Sequence, residues 1–394
     1  MPKLNERLQD TFNHTLLQIK PSRIRSFVSK INGIDGLISL NVGEPGFNTP
    51  EHIKEAAIKS IAEDKSHYSP QPGWLELRQS ISRYVEKKTG VSYDPETEVV
   101  VTDGATEALA STFIAVVNEG DKVIVPMPGY PAYSADIEMA RGVVVPVDTS
   151  ADKFKLTPVK LEETLKNDPE IKAIILNYPT NPTGVEYTPE EVQALTKVLD
   201  KYGILVISDE IYGELTYDVK HESVVKYLPN NSILINGVSK SHAMTGYRLG
   251  YVTGPAEIVA NVKKVHGFLV TSPSNPAQYG AIEALDNGLE DSQPMLNEYR
   301  ERRDYVTESL SKIGFDIISP DGAFYIFAKI PAQYSELTSE EFALKLANDA
   351  HVGVTPGDAF GDSGQGYIRI SYAADMDQII EAMKRIKKMI EQDN

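Results

Sequence analysis

ILVISDEIYGEL, residues 204–215, is an apolar run that ends on two carboxylates. Leu205, Val206 and Ile207 are apolar at consecutive positions, so an extended strand here would be covered on both faces, as in a parallel sheet between helices. Six further short β-branched runs occur, several of them apolar throughout: VVVTD (99–103), KVIVP (122–126), VVVPV (143–147), AIILN (173–177), SILIN (232–236) and RLGYVTG (248–254). Longer helical patterns separate them. The alternation predicts an α/β fold, with a mainly parallel seven-stranded sheet between helices. Ligands of open α/β sheets bind outside the carboxyl ends of the strands, so chemistry is expected just after each run.

The chain has 394 residues, beyond the size at which one core usually stops growing. We expect an N-terminal arm with part of a small domain over 1–45, a large domain over 46–288, and the rest of a smaller α+β domain, built from both chain ends, over 289–394. The formal net charge of −17 repels nucleic acid and anionic lipid, which leaves small molecules as partners. The absence of cysteine excludes disulfides, iron–sulfur clusters, zinc thiolate sites and cysteine nucleophiles. MPKLNERLQD at the start lacks an apolar signal region, and no apolar run approaches the roughly 18 residues of a membrane span, so a cytoplasmic protein is expected. The histidines, His67, His242 and His266 among them, form no pair at metal-ligand spacing, and no G-x-S-x-G elbow or G-x-G-x-x-G turn occurs. No metal is assigned.

Several strand ends carry candidate residues. Asp209 closes an apolar strand, where a carboxylate needs a cationic or protonated partner; it also suits the N-cap of a helix starting at Glu210. Tyr212 lies three residues on. Gly104, Ala105 and Thr106 form a small-residue turn into a helix whose backbone N–H groups can meet an anion, although such turns are also ordinary architecture. Asn181 is central to the ordered turn NYPTNPTG (177–184), and Tyr130 follows KVIVP, where an aromatic face either covers a flat ligand or packs in the core. Arg369, within GYIRISYA (366–373), invites a bidentate carboxylate or a structural ion pair. In NGVSKSHAMTGYRLGY (236–251), Lys240 has no carboxylate between Tyr227 and Pro255 to balance it; a lysine read alone is far more often a surface-loop residue, and only its context argues otherwise.

Taken together, NPTG, SDEIY, SK followed by MTGYRLGY, and YIRISYA, in this order, resemble the class I and II aminotransferases, pyridoxal-phosphate-dependent enzymes of fold type I. The resemblance runs from VGEPGFNTPEH to YIRISYA. It implies that 46–288 binds the cofactor, pyridoxal 5'-phosphate, and that Lys240 is the Schiff-base lysine, which also moves the proton between substrate Cα and cofactor C4'. It implies that Asp209 pairs with the pyridinium nitrogen, that Asn181 and Tyr212 hydrogen-bond the cofactor phenolic oxygen, and that Tyr130 stacks on its ring. Arg248, Ser239 and the Gly104–Thr106 turn match the phosphate cup, but Gly237 stands where the common S-x-S-K form has its first serine. Tyr68 matches a tyrosine that reaches the phosphate of the neighbouring subunit, which implies a homodimer with shared active sites. Arg369 matches the clamp for the substrate α-carboxylate, and Gly43 lies where backbone approaches that carboxylate.

Within the family, INGVSKSHAMTG, ELTYD and PDGAFYIFAKIP look similar to the bacterial aromatic amino-acid and N-acetyl-diaminopimelate aminotransferases. The expectation is transamination between an L-amino acid, aromatic by preference, and a 2-oxo acid such as 2-oxoglutarate. N-acetyl-diaminopimelate or aspartate aminotransferase, and a pyridoxal-phosphate β-lyase, are the alternatives. Cofactor-sensing regulators of the same fold carry a basic DNA-binding extension that this sequence lacks.

Overall fold

The computed structural model describes residues 2–393. After a short strand β1 (Ile38–Ser39), the seven expected runs become β2 (Val99–Thr102), β3 (Lys122–Met127), β4 (Val143–Asp148), β5 (Ile171–Asn177), β6 (Leu205–Asp209), β7 (Ser232–Gly237) and β8 (Gly250–Thr253). They form one sheet in the order β2-β8-β7-β6-β5-β3-β4. β8 is antiparallel to both neighbours, and the other adjacent pairs are parallel.

The apolar character of the central strands follows from burial on both faces, whereas β4, at the sheet edge, is largely exposed or half-buried. Val206 and Leu234 point into one core, with Leu77 and Ile81 of helix Leu75–Thr89. Ile207 and Ile235 point into the opposite core, with Leu109 and Phe113 of helix Gly104–Val116. Sheet and helices therefore form three layers, and the strand ends open on one edge.

A third core joins the two ends of the chain. Phe27, Ile31 and Leu40 pack with Tyr325, Ile368 and Ile386, around the strands β9 (Asp316–Ile317), β10 (Tyr325–Lys329), β11 (Val352–Gly353), β12 (Thr355–Pro356) and β13 (Tyr367–Ser371). β12, β13, β10 and β9 form an antiparallel sheet, while β1 pairs in parallel with β11. Asp209 does not cap a helix. The chain instead makes consecutive turns, Gly213 N–H to Glu210 C=O at 2.8 Å and Leu215 N–H to Tyr212 C=O at 2.7 Å, because Ser208, Ser223 and His221 hold the Glu210 side chain that would enter the first helical turn. No helix among the described residues is long and apolar enough to cross a membrane.

Candidate active site

The loops after β2, β3, β5, β6 and β7 converge with β13 on one cavity of about 480 Å³. Every candidate from the sequence lines it except Gly104, which lies directly beside it at the start of its helix, and Tyr68, which is 85% exposed and points away from the core.

Lys240 is partly buried in the loop after β7, and its Nζ donates to the Gly43 carbonyl at 2.6 Å. Nζ also lies 5.7 Å from the Tyr212 ring centre and 5.9 Å from that of Phe324. Burial lowers its pKa to about 8; Glu44 at the mouth opposes this, and Arg248 and Arg369 add to it. A lysine near that value has an available lone pair close to neutral pH.

Asp209 is 3% exposed at the end of β6. The Tyr133 hydroxyl donates to its Oδ2 at 2.7 Å and the Ile211 N–H to its Oδ1 at 3.2 Å. Burial raises its pKa to about 6, and those two hydrogen bonds restrain the rise. No cation among the described residues forms an ion pair with it. Tyr212 shares a hydroxyl–hydroxyl bond of 2.8 Å with Tyr325, and Tyr130 packs edge-to-face on Tyr133.

Arg369 is the reverse case, a buried cation with no anion among the described residues. Its guanidinium donates to Asn181 Oδ1 at 2.9 Å, the Asn41 carbonyl at 2.9 Å and Thr355 Oγ1 at 3.3 Å, while Nε has no partner. Tyr325 and Phe360 flank it at 4.4 and 4.9 Å from their ring centres. A guanidinium so desolvated and fixed is ready for a carboxylate.

At the other end of the cavity, Gly104 has φ +80°, and a Cβ there would lie 2.5 Å from Arg248 Nη2. Arg248 itself adopts φ +53°, with Nη1 donating to the Thr245 carbonyl at 2.8 Å. This close packing puts the guanidinium against the N-terminus of helix Gly104–Val116, beside Ser239, as an anion cup. Gly237 is also explained: a Cβ there would come within 2.7 Å of the Leu249 carbonyl, so a serine has no room. The residues fit pyridoxal phosphate, with an anion cup for its phosphate, a buried carboxylate lacking a cation for its ring nitrogen, and a lysine of lowered pKa for its aldehyde.

Sequence reading missed Tyr133, Tyr325, Asn41 and Thr355. PGYPAYS contains Tyr133 three residues after Tyr130; Tyr130 is the extended residue that precedes helix Pro131–Met139, and Tyr133 lies in its first turn, but only Tyr130 sits directly at the strand end. Asn41 acts through its main-chain carbonyl in the loop after β1, and Thr355 from the short edge strand β12, neither with a motif of its own. No group of three or more His, Asp or Glu side chains among the described residues could hold a metal ion.

The profile of the family described as "Aminotransferase class I and II" matches residues 35–386. A Bacillus subtilis protein named "Probable N-acetyl-LL-diaminopimelate aminotransferase" is 40% identical over 383 residues, 97% of this chain and 96% of its own length. An aspartate aminotransferase of Pyrococcus horikoshii is 36% identical, covering 95% of this chain and 96% of its own. The crystal structure of an aromatic aminotransferase from Pyrococcus horikoshii OT3 superposes with a TM-score of 0.88 at 34% identity, over 94% of this chain and 99% of that one. With the motifs, the sheet and the cavity in agreement with that match, the chain belongs to the class I and II aminotransferases and is a pyridoxal-phosphate-dependent transaminase.

Proposed function

We propose that this aminotransferase takes an aromatic L-amino acid as donor and a 2-oxo acid such as 2-oxoglutarate as acceptor. The observation that carries the choice is the set of cations in the cavity. Among the described residues lining it, these are Lys240, Arg248 and Arg369, and the reading gives each a task at the cofactor or the α-carboxylate. None of this subunit's cations remains for an acidic side chain, so the distal carboxylate of 2-oxoglutarate would have to meet a group of the second subunit, whereas Ile24 and Leu109 offer apolar wall to an aromatic donor. The N-acetyl-diaminopimelate reading is the second one, favoured by the 40% identity to the Bacillus subtilis protein so named.

The cofactor, when bound, supplies a carbonyl carbon for the substrate amine and an electron-accepting ring. Arg248, Ser239 and the Gly104–Thr106 turn would hold its phosphate, Asp209 its ring nitrogen, Asn181 and Tyr212 its phenolic oxygen, and Tyr130 one ring face. Arg369 binds the substrate α-carboxylate bidentately, and Gly43 and Asn181 border that position. This fixes the Cα–H bond relative to Lys240, whose Nζ removes the proton and later returns it. Asp209 keeps a negative charge buried where positive charge must be stabilised.

The same reading makes the enzyme a cytoplasmic homodimer with shared sites. Tyr68 and Phe268 are 85% and 89% exposed, and Leu269 58%. The loop carrying Tyr68 adjoins the helix carrying Phe268 through Gln71, whose Nε2 donates to the Lys263 carbonyl. Such an apolar patch suits a second subunit. The deciding experiment is single-turnover kinetics of the pyridoxal form across a panel of amino acids. Aromatic donors reacting fastest is the expected result; aspartate or an N-acylated diamino acid reacting faster would replace the donor assignment. Without any added 2-oxo acid a transaminase releases one equivalent of keto acid per site and stops, so keto acid formed over many turnovers together with ammonia would indicate β-lyase chemistry instead.

A further inference from the structure

The segment Asp209–Glu214 is a wall between two cavities. Asp209, Ile211 and Tyr212 line the active-site cavity, whereas Glu210, Gly213 and Glu214 line a second one of about 340 Å³. The two share no lining residue. Tyr84 and Lys88 near the end of helix Leu75–Thr89 close one side of the second cavity, Tyr251 of β8 its floor, and Arg300 of helix Ser292–Lys312 the other side. It therefore lies between the core of the seven-stranded sheet and the core that joins the chain ends.

Its polar groups divide by depth. Tyr251 is 1% exposed, and its hydroxyl has no hydrogen-bond partner among the described residues. Leaving such a group unmet in a buried site is costly. Beside it stand the Glu210 carboxylate, held by Ser208, Ser223 and His221, and the Glu214 carboxylate, held by the Tyr84 hydroxyl and Lys88. Both carboxylates retain acceptor capacity. Toward solvent three cations surround one opening, in a chain whose net charge is −17: Lys88 is shared with Glu214 at 2.8 Å and Arg300 with Asp218 at 3.4 Å, while Lys220 forms no ion pair among the described residues. An acceptor-rich floor below a cationic rim selects a molecule that is anionic at one end and a hydrogen donor at the other.

We propose that this second cavity binds a small carboxylic acid with a hydroxyl or amine at its far end. The carboxylate lies among Lys88, Lys220 and Arg300, and the donor end meets the Tyr251 hydroxyl and the Glu210 and Glu214 carboxylates. A molecule held there rests on the turn whose other face carries Asp209 and Tyr212. The site does not depend on which donor amino acid the active site prefers.

The test is calorimetric titration of the cofactor-loaded enzyme with 4-hydroxybutyrate, which has neither an α-amino nor an α-oxo group, and with butyrate, which lacks the donor end. The expected result is saturable binding of 4-hydroxybutyrate, weakened about fivefold or more in butyrate and in Tyr251→Phe, and again in Lys220→Met, but unchanged in Arg369→Lys. Tyr251→Phe removes only an unpartnered hydroxyl, so it should fold normally. No saturable heat, equal affinity for the two acids, loss of binding in Arg369→Lys rather than Tyr251→Phe, or a soaked crystal with water alone in the cavity would each overturn the proposal.

Discussion

Burial alone would make Asp209 a poor carboxylate, since it raises the pKa to about 6 even with the Tyr133 hydroxyl and the Ile211 N–H holding it down. Removing one of these donors moves the pKa further up. Tyr133→Phe should therefore shift the acid limb of the single-turnover rate to higher pH and slow Cα deprotonation at neutral pH by about ten- to a hundredfold, the scale of one hydrogen bond to a charged group. Asp209→Ala should slow the same step by orders of magnitude while the cofactor still binds. A rate for Asp209→Ala within about tenfold of wild type, about 1.4 kcal/mol in barrier, would contradict its proposed role. Asp209 was legible because a carboxylate ending an apolar strand is physically anomalous. Tyr133 was not, because an aromatic residue on the buried face of helix Pro131–Met139 reads as core.

Among elements, the turn after β7 departs from the family pattern for a steric reason. Gly237→Ser would restore the S-x-S-K form, but its Cβ would meet the Leu249 carbonyl at 2.7 Å and the Gly250 Cα at 3.0 Å. It should destabilise the protein by about 1–3 kcal/mol in denaturant unfolding and loosen the cofactor rather than tighten it. The stretch after β6 is held differently. His221 lies 3.1 Å from Glu186 and 3.0 Å from Glu210; burial opposes its charge, but these carboxylates raise its pKa to about 10. A pKa above the unfolded value of about 6.5 gives stability that is complete below that pH and lost as pH rises toward about 10. The thermal midpoint of the wild type should therefore fall between pH 7 and pH 10 more steeply than that of His221→Gln, and equal slopes would exclude the clamp. The strands were legible because each has a short apolar, mostly β-branched centre. The turn at 211–214 was read as a possible helix start, since two of the three residues that hold the Glu210 side chain, Ser223 and His221, lie 13 and 11 positions away in sequence.

For the whole molecule, the fold could be read from seven buried runs in order, whereas the substrate pocket could not, because its wall is assembled from separate segments such as Ile24, Leu109 and Tyr130. The proposed dimer makes its own prediction. In a hybrid that pairs Lys240→Ala with Tyr68→Phe, the lysine-bearing site borrows an intact tyrosine, so its cofactor affinity should equal wild type; affinity as low as in the Tyr68→Phe homodimer would mean that Tyr68 serves its own subunit. The function rests most directly on Lys240, a partly buried lysine with a pKa lowered to about 8. Reconstituting the protein with pyridoxal phosphate, reducing it with borohydride and mapping the digested peptides by mass spectrometry should find the phosphopyridoxyl group on Lys240, and a label on another lysine, or on none, would contradict the assignment.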